Sequence, residues 1–517
     1  MASRNELAEL TFSAPRRKHH QTKVLFAMVG LPARGKSFIS NKISSYLNWT
    51  GIPCEIFNAG SYRRKRLGAD KSGRADFFDT RNSSNLSQRD HIAMATLDDA
   101  LQFLEEEGER VAVFDATNTT RERRRMIYEK IKEFEKTSVK VTFICLESIC
   151  DDPEVLDVNL RQKIRGSPDF QNMAEEDALR DLRERIKRYE SVYEEVDDSE
   201  KLSYVKVINL NAKVVCSNVF GKTPLRVVQL LMSCNVYTRP VYLCRAGHCD
   251  GIVDMSGLRK QVKAVLGCQD EILGRARGPY AEGSKVIAQQ VNAVALDKST
   301  APESSMKTAD ATKTGSQLLR CFSTRMDEVY MPSMATASAE LSDSGNRFAQ
   351  RVAKFIRQEQ GAEAEIDTYT STLPRAVATA MPLMEYDEDR IEEWSALSVL
   401  NTGIMHGLKV SSIRREYPAE FNLWKIDPFR YRFPGGESLY DLNQRLVDVV
   451  LQIEHTFNPV LVVSHLSTIQ SLLAYFQNIA MEKAPMIEAP QHSVIVLKPS
   501  NYGWSIKIVT EDELPEL

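Results

Sequence analysis

The chain has 517 residues, of which 43% are hydrophobic and 26% charged, so it can bury large cores and form two or more domains. A net charge of -3 excludes the strongly basic class of proteins that bind nucleic acid or another polyanion. The nine cysteines are irregularly spaced and form no C-x-x-C pair, which indicates reduced thiols in a cytoplasmic protein. No apolar segment is long enough to span a membrane, and we expect neither a membrane nor a nucleic acid as partner.

The first 22 residues are polar and carry a basic cluster at residues 16–20. We expect residues 1–22 to form a flexible leader, and we interpret the cluster as a solvated arm rather than a targeting signal. Residues 24–29 are an apolar run that predicts a buried strand, and an amphipathic helix is expected from about Ser37 to Leu47. A glycine loop connects this strand to this helix.

The glycine loop has the pattern G-x-x-x-x-G-K-S/T of a phosphate-binding loop. Its glycines let backbone N–H groups surround phosphate oxygens, its lysine reaches the β- and γ-phosphates, and its serine offers a hydroxyl to Mg²⁺. An ordinary glycine turn is the alternative, which the strand before the loop and the helix after it disfavour. We therefore predict that the phosphates of a nucleotide are bound by Gly30, Leu31, Pro32, Ala33, Arg34, Gly35, Lys36 and Ser37.

A second short apolar run, residues 54–58, predicts a parallel strand, and a basic stretch at residues 62–66 follows it. In a doubly wound sheet, residues just beyond the carboxyl ends of the strands face the ligand crevice. Guanidinium groups at this position can therefore bind a substrate phosphate, and an exposed basic helix start is the alternative. Apolar residues at helical spacing predict a further helix from Ser87 to Glu107, which Gly108 ends.

Residues 110–115 form an apolar run that ends in an aspartate, Asp115. A strand of this form after a phosphate loop is typical of a Walker B element, whose carboxylate holds Mg²⁺. We expect Thr119 or Thr120 to cap the next helix, which leaves Asp115 and Thr117 for the crevice. The arginines within residues 121–125 fit a surface face and a phosphate-binding role equally well.

Several longer phrases are far more specific than the glycine loop, and together they closely resemble the 6-phosphofructo-2-kinase/fructose-2,6-bisphosphatase family. They are MVGLPARGKS at 28–37, YLNW at 46–49, AVFDATNTTRERR at 112–124, ESICDDP at 147–153 and GSPD at 166–169. The resemblance implies a doubly wound, mainly parallel α/β P-loop kinase domain, followed by an α/β histidine-phosphatase domain like that of phosphoglycerate mutase. It also implies that the kinase makes fructose 2,6-bisphosphate from ATP and fructose 6-phosphate, and that the phosphatase removes it.

The resemblance implies roles for individual residues of the kinase half. Lys36 and Ser37 would serve ATP and Mg²⁺, and Asp115 would be the catalytic carboxylate, either as the base or as support for the metal. Cys150 matches a cysteine near the family's kinase site, although a small core residue is an equal interpretation, and Asn159 fits an ATP-contacting asparagine. The residues implied for fructose 6-phosphate are Arg63, Arg89, Thr117, Arg123, Lys163, Arg185 and Tyr189; Lys163 stands one position earlier than in the family.

The second half resembles the family's phosphatase but departs from it at the catalytic positions. After the strand that ends at Arg245, the family's phosphate-accepting histidine is replaced by Ala246, whose methyl group cannot attack phosphorus. His248 is an alternative, displaced nucleophile, but Val399 replaces the general-acid glutamate, so the leaving oxygen would stay unprotonated. Further departures lie at Trp424, Pro428, Leu466 and Gln470.

We therefore expect an inactive bisphosphatase whose Arg245, Arg375 and His465 remain as a vestigial anion pocket. The leading hypothesis is a homodimeric kinase that makes fructose 2,6-bisphosphate with ATP and Mg²⁺. A bifunctional enzyme with weak residual bisphosphatase and a non-catalytic sensor of nucleotide or sugar phosphate are the alternatives. A P-loop kinase with another acceptor, such as a polynucleotide end, would need a basic groove with aromatic platforms, which the overall acidity disfavours.

The expected domains follow from where the resemblance begins, breaks and resumes. The polar run 297–317 has too few apolar residues to order itself, and it is either a phosphorylated segment or a tolerated surface insertion. The acidic tail is expected to fray. The expected division is 1–22 leader, 23–237 kinase domain, 238–510 phosphatase-like domain with an insertion at about 252–340, and 511–517 tail.

Overall fold

The computed structural model describes residues 22–68, 73–79, 82–235, 239–249, 340–385, 390–406, 408, 410–500 and 503–517. The expected leader apart from Thr22, and the expected insertion apart from Glu340, lie outside these residues, as does the polar run 297–317. The described residues form two six-stranded sheets with helices around them. The expected succession of two α/β folds is confirmed.

The first sheet alternates strands with helices along the chain. Its strands are β1 (Lys23–Val29), β2 (Cys54–Asn58), β3 (Arg110–Asp115), β4 (Val141–Ile149), β5 (Ser203–Ile208) and β6 (Lys213–Ser217). Its helices are α1 (Lys36–Trp49), α2 (Ala59–Leu67), α3 (Ser83–Glu105), α4 (Arg121–Thr137), α5 (Pro153–Gly166), α6 (Glu175–Glu190) and α7 (Lys222–Ser233). The order across the sheet is β2-β3-β1-β4-β5-β6, parallel throughout except for the last pair.

Strand β1 lies at the centre of this sheet, between β3 and β4, and all of its residues are buried. Val24, Phe26 and Met28 belong to one hydrophobic cluster, and the alternate residues Leu25 and Ala27 belong to another. A parallel strand covered on both faces is apolar at nearly every position, which explains the unbroken apolar run. The carboxyl ends of β1, β3 and β4 meet at one edge of the sheet, where ligands bind in this fold.

The second sheet has the order β12-β11-β7-β10-β8-β9, and its last two strands in the chain pair antiparallel. Its strands are β7 (Val241–Arg245), β8 (Asp367–Thr370), β9 (Ile391–Glu393), β10 (Val460–Ser464), β11 (Val494–Ser500) and β12 (Gly503–Val509). Its helices are α8 (Asp343–Gln360), α9 (Pro374–Ala380), α10 (Val410–Glu416), α11 (Pro418–Ile426), α12 (Leu439–His455) and α13 (Leu466–Gln477). Among the described helices, none combines the length and apolar composition needed to cross a membrane.

The carboxyl-terminal tail is docked on the protein, so the expectation of a frayed end is wrong. Thr510 and Glu513 form a capping box around a short 3-10 helix. Leu514 is buried, and the Arg351 guanidinium on α8 donates to the backbone carbonyls of Leu514 and, at 3.0 Å, of Pro515. Glu511 also lies 3.1 Å from His492 Nδ1. The acidic composition gave no sign of this docking because most of the contacts are made by backbone carbonyls and one leucine.

The two halves of the chain share one hydrophobic core. Leu47 and Trp49 on α1 belong to the same cluster of buried residues as Leu442 on α12 and Tyr475 on α13. The helix that follows the glycine loop is thus packed against the phosphatase-like half as well as against its own sheet.

Candidate active site

The glycine loop after β1 has the backbone shape that its residues require. Gly30 has a φ of 135°, and a Cβ atom there would lie 2.6 Å from the carbonyl oxygen of Ser148, closer than any side chain allows. The Gly30 N–H donates to the Thr117 carbonyl at 3.0 Å, which ties the loop to the segment after β3. Gly35, with a φ of 84°, precedes α1 and provides no side-chain cap. The first-turn N–H groups of α1 are therefore directed at the loop, where an anion is stabilised.

The expected pairing of loop serine and strand aspartate is present in the structure. The Ser37 hydroxyl donates to Asp115 Oδ2 at 2.9 Å, and the Asn58 amide donates to the same carboxylate oxygen. Asp115 is buried at the carboxyl end of β3. A hydroxyl and a carboxylate are the oxygen ligands that Mg²⁺ prefers, so Ser37 and Asp115 fit a magnesium ion bound together with nucleotide phosphates.

Lys36 is buried at the start of α1, where its ammonium donates to the Leu31 carbonyl at 2.6 Å. Burial lowers the pKa of Lys36 to about 7; Asp115 opposes this shift, while Lys163, Arg185 and Arg34 add to it. A cation destabilised in this way gains a partner when an anion arrives. The site is therefore electrostatically suited to phosphate groups.

A second group of charged residues surrounds two aromatic rings beside the loop. The guanidinium of Arg185 lies 3.6 Å from the ring centre of Phe78, and that of Arg63 lies 5.0 Å from it. Arg89 lies 5.5 Å from Phe78 and 5.0 Å from the ring centre of Tyr189. Tyr189 is buried and hydrogen-bonded to the Thr117 side chain. Burial raises the pKa of Tyr189, but Arg89 and Arg185 outweigh it and the net pKa is lowered.

The Asp169 carboxylate contacts three of the surrounding guanidinium groups. Its carboxylate accepts from Arg63 at 2.6 Å and from Arg185 at 3.3 Å, and it lies 3.7 Å from Arg64. The Asp169 side chain is 3% exposed; burial raises its pKa, but Arg63 and Arg185 outweigh burial and lower it. The expectation that Arg63 contributes to a substrate site is compatible with its burial, whereas the exposed-helix alternative is wrong for Arg63.

Within the arginine run at 121–125, the residues have different environments. Arg123 pairs with Asp90 on α3 and lies near Arg89 and Tyr189. By contrast, Arg124 is fully buried and paired with Glu200. Among the described residues, the buried Nη1 of Arg123 and Nε of Arg185 have no hydrogen-bond partner. Unsatisfied buried donors are rare in folded proteins, and these two belong to arginines that lie beside Asp90 and Asp169.

Two of the three remaining expected residues lie on α5, and the third directly follows β4. Lys163 on α5 is half-buried; burial and Arg185 lower its pKa, and it interacts with Asp115 and Asp169. Asn159, also half-buried, lies four residues earlier on α5 and therefore on the same helix face. Cys150 follows β4 and is half-buried; burial raises the pKa of its thiol. A protonated thiol is a poor nucleophile, so Cys150 is suited to contact a ligand and not to attack one.

Sequence reasoning missed Asn58, Phe78 and Asp169 as members of this site. Asn58 ends β2, next to the basic stretch that pointed to the crevice, so its position was the available signal. Asp169 lies in the family phrase GSPD, and it is an acidic residue among arginines assigned to the substrate. No pattern in the sequence singles out Phe78.

In the second half, the structure brings the three expected pocket residues together. Arg245 ends β7, Arg375 lies in the first turn of α9, and His465 follows β10. His465 Nε2 lies 2.8 Å from the Ser371 hydroxyl. Burial, together with the charges of Arg375 and Arg245, lowers the pKa of His465 to about 3. His465 is therefore uncharged at neutral pH, in a pocket with two guanidinium groups.

Ala246 and His248, expected at and beside the position of the phosphate-accepting histidine, have ordinary structural contacts. Ala246 is buried, and its N–H donates to the Ser464 carbonyl at 2.8 Å. The backbone N–H of His248 donates to His492 Nε2 at 3.1 Å, and His248 Nδ1 lies 3.0 Å from the Ser342 hydroxyl. Among the described residues, no group of three or more His, Cys, Asp or Glu side chains is arranged to hold a metal ion.

Comparison with known proteins agrees with both halves of this description. The family model for 6-phosphofructo-2-kinase matches residues 13–238, and the model for the histidine phosphatase superfamily (branch 1) matches residues 334–512. The rat protein 6-phosphofructo-2-kinase/fructose-2,6-bisphosphatase 4 is 33% identical over 94% of this chain and 84% of its own length. The chain belongs to the 6-phosphofructo-2-kinase/fructose-2,6-bisphosphatase family.

Other members of the 6-phosphofructo-2-kinase/fructose-2,6-bisphosphatase family are similarly related. The Gallus gallus 6-phosphofructo-2-kinase/fructose-2,6-bisphosphatase is 32% identical over 93% of this chain and 83% of its own length. The solved structure of the alpha-ribazole phosphatase from Shigella flexneri aligns with 36% of this chain and 90% of its own, at 16% identity and a TM-score of 0.31. The phosphatase match begins at residue 334, and so does not include residues 245–248.

Proposed function

We propose that this protein transfers the γ-phosphoryl group of ATP to the 2-hydroxyl of fructose 6-phosphate and thereby makes fructose 2,6-bisphosphate. The observation that supports this most directly is the contact of Ser37 with Asp115 at 2.9 Å beside the buried Lys36. A phosphate loop with a metal-binding pair thus faces a second anion site built from arginines. Two anionic substrates at adjacent sites are what phosphoryl transfer between them requires.

Each group of residues has a distinct part in this reaction. The loop N–H groups and Lys36 would bind the ATP phosphates, and Ser37 and Asp115 would hold Mg²⁺, which when bound would supply positive charge to the transferred group. Arg63, Arg89, Arg123, Arg185 and Lys163 bind and orient the sugar phosphate, with Thr117 and Tyr189 beside them. The Asp115 carboxylate would serve either as the base for the hydroxyl proton or as support for the metal alone, and no covalent protein intermediate is needed.

Two variants test the roles of these groups in the kinase reaction. We expect Lys36→Met to abolish ATP-dependent formation of fructose 2,6-bisphosphate, because the methionine brings no charge to the phosphates. Arg89→Ala should chiefly raise the KM for fructose 6-phosphate, since Arg89 contacts the aromatic rings of the second site and not the loop. The measurement is steady-state kinetics with each substrate varied. Unchanged synthesis by Lys36→Met would refute the mechanism.

The proposal also assigns no bisphosphatase activity to the second half. The loss of the nucleophile at Ala246 and of the general acid at Val399 supports it, because hydrolysis through a phosphohistidine needs both. Release of phosphate from added fructose 2,6-bisphosphate is the test. Turnover that His248→Ala abolishes would contradict the proposal and assign the nucleophile to His248.

The proposed enzyme is a cytoplasmic homodimer. Family membership supports the dimer, and the cysteines support a reducing compartment. The seven cysteines in the described part of the chain are all free, and burial raises the pKa of Cys54, Cys145, Cys234 and Cys244 to about 12. Sedimentation equilibrium of the purified protein tests the dimer, and a monomer at micromolar concentration would contradict it.

A further inference from the structure

We infer that Lys42 and Glu454 are positioning residues for nucleotide binding, through which the phosphatase-like half holds the helix that carries the phosphate loop. This inference rests on the proposed function, because it gives the phosphatase-like half a task in the kinase reaction. The task is independent of whether that half hydrolyses anything.

The pair joins the two halves of the chain through a short, buried contact. The Lys42 ammonium on α1 lies 2.6 Å from Glu454 Oε1 on α12, and the two side chains are 14% and 5% exposed. The Tyr475 hydroxyl on α13 donates to the same carboxylate oxygen at 2.8 Å. The Lys42 ammonium also lies 5.3 Å from the ring centre of Trp504 on β12. Two elements of the phosphatase-like half therefore contact one lysine of the kinase half, and a third element supports the carboxylate that pairs with it.

The carboxyl end of α1 is also held by the phosphatase-like half. The indole N–H of Trp49 donates to the Ser471 carbonyl at 2.9 Å, and the Trp49 ring packs edge-on against Tyr475. The carbonyls of Trp49 and Thr50 accept the side-chain amides of Asn443 and Gln444 on α12 at 3.5 and 3.2 Å. The last carbonyls of a helix have no partner within the helix. The Tyr46, Leu47 and Asn48 carbonyls accept from local backbone N–H groups, and the other half of the chain supplies the partners of the Trp49 and Thr50 carbonyls.

The same helix begins at the nucleotide site, which connects these contacts to catalysis. Lys36 and Ser37 form its first turn, and Lys42 lies about 9 Å further along the axis at the usual helical rise. A short helix moves as a unit, so a shift at Lys42 also displaces Lys36, Ser37 and the first-turn N–H groups. Phosphoryl transfer is sensitive to displacements of about 1 Å. Removal of one partner also leaves the other charge buried and unpaired, which forces such a shift.

The test uses the full-length protein and measures nucleotide binding separately from turnover. In Lys42→Met and Glu454→Gln we expect the Kd for Mg²⁺·ADP, measured by titration calorimetry, and the KM for ATP each to rise about tenfold. The KM for fructose 6-phosphate should stay within about twofold, because the arginine site is not built on α1. The double variant should lose no more than either single variant, since the pair acts as a unit.

Three control variants separate positioning from a loss of stability. Lys130→Met breaks the ion pair of Lys130 with Asp98, which lies entirely in the kinase half, and it should leave both constants unchanged. Lys42→Arg keeps the charge and should retain most of the affinity. If Lys42→Met fails to fold, the test uses Tyr475→Phe instead. This variant removes the hydroxyl that donates to Glu454 and should still weaken ADP binding.

The outcomes distinguish this inference from the proposed function. An unchanged Kd for ADP in folded Lys42→Met, or in Tyr475→Phe where that variant carries the test, would overturn the inference. Additive losses in the double variant would overturn it too. ADP binding is measured without a sugar phosphate, so failure of the wild-type protein to phosphorylate fructose 6-phosphate would refute the proposed function and leave the binding result intact.

Discussion

Asp169 compensates the positive charge of the proposed sugar-phosphate pocket. It lies with Arg63, Arg64 and Arg185 in a buried region, where guanidinium groups without a counterion would repel one another. One carboxylate in contact with all three offsets this repulsion and fixes their orientation. The arginines are thus oriented before a substrate arrives, which lowers the cost of binding it.

We predict that Asp169→Asn raises the KM for fructose 6-phosphate about tenfold or more, because a neutral amide no longer orients the arginines. The KM for ATP should be nearly unchanged, since Asp169 does not contact the phosphate loop. Steady-state kinetics with each substrate varied measures both constants. Asp98→Asn, which removes an exposed carboxylate paired with Lys130, is the matched control. Equal effects of Asp169→Asn on both substrates would contradict the assigned role.

His465 gives a prediction for the stability of the phosphatase-like half. Its pKa in the folded protein is about 3, whereas an unfolded histidine titrates near about 6.5. Below pH 6.5 the unfolded chain therefore binds a proton that the folded protein does not, and the free energy of unfolding falls as the pH falls. Between pH 7 and pH 5 this one residue should cost about 2 kcal/mol.

Urea denaturation at pH 7 and pH 5 tests this effect. Between pH 7 and pH 5, His465→Gln should lose about 2 kcal/mol less stability than the wild-type protein. His406→Gln, at an exposed histidine, is the control and should lose as much stability as the wild type. Identical pH dependence in wild type and His465→Gln would show that the pKa of His465 is the same in the folded and the unfolded protein, and would contradict the prediction.

The sequence could predict some residues of the site and not others, for a physical reason. Lys36 and Ser37 lie within one loop whose pattern is local, so spacing alone identifies them. Asn58, which contacts Asp115, lies 57 positions from it in the chain. Asp169, which contacts Arg63, lies 106 positions from it. Only the fold brings these partners together, and the residue types alone are common.

Among the secondary-structure elements, the glycine loop is the most constrained. Gly30 combines a positive φ with a Cβ position 2.6 Å from the Ser148 carbonyl. Both features exclude any side chain at residue 30 without movement of the loop or of strand β4, which contains Ser148. The loop shape therefore depends on the neighbouring strand as well as on its own residues.

We predict that Gly30→Ala abolishes nucleotide binding, because the loop must move away from Ser148 and its N–H groups lose their convergence. The far-ultraviolet circular dichroism should remain that of the wild type, since the sheet does not depend on this loop. Gly361→Ala is the matched control: Gly361 has a φ of 98°, but a Cβ there would contact nothing within 4 Å. Normal ADP affinity in Gly30→Ala would contradict the assigned loop geometry.

At the scale of elements, the sequence predicted what apolar periodicity and caps encode. The runs at β1 and β3 were identified because buried parallel strands are apolar on both faces, and Thr120 does cap α4. The helix expected at Ser87–Glu107 begins earlier, at Ser83, because Asn82 caps it. The docked tail was missed because long-range contacts to Arg351 hold it, and no local pattern encodes such contacts.

At the scale of the whole molecule, the two halves are joined by a shared core and not by a linker alone. The expected domain boundary between residues 237 and 238 stays a prediction. One cluster of buried residues contains members from both sides of it, namely Leu47 and Trp49 before the boundary and Leu442 and Tyr475 after it. The contact of Lys42 with Glu454 spans 412 positions, so no local reading of the sequence could find it. A phosphatase-like half that supports the kinase would be retained even without its own chemistry.

Phosphorus NMR of the wild-type protein with ATP, Mg²⁺ and fructose 6-phosphate tests the central claim most directly, because it observes synthesis and hydrolysis in one sample. We predict that ADP and a phosphate ester at C2 of the sugar accumulate in equal amounts, with no inorganic phosphate above that of the Lys36→Met control. Inorganic phosphate that grows at the expense of the C2 ester, or ADP formation without the ester, would contradict the account.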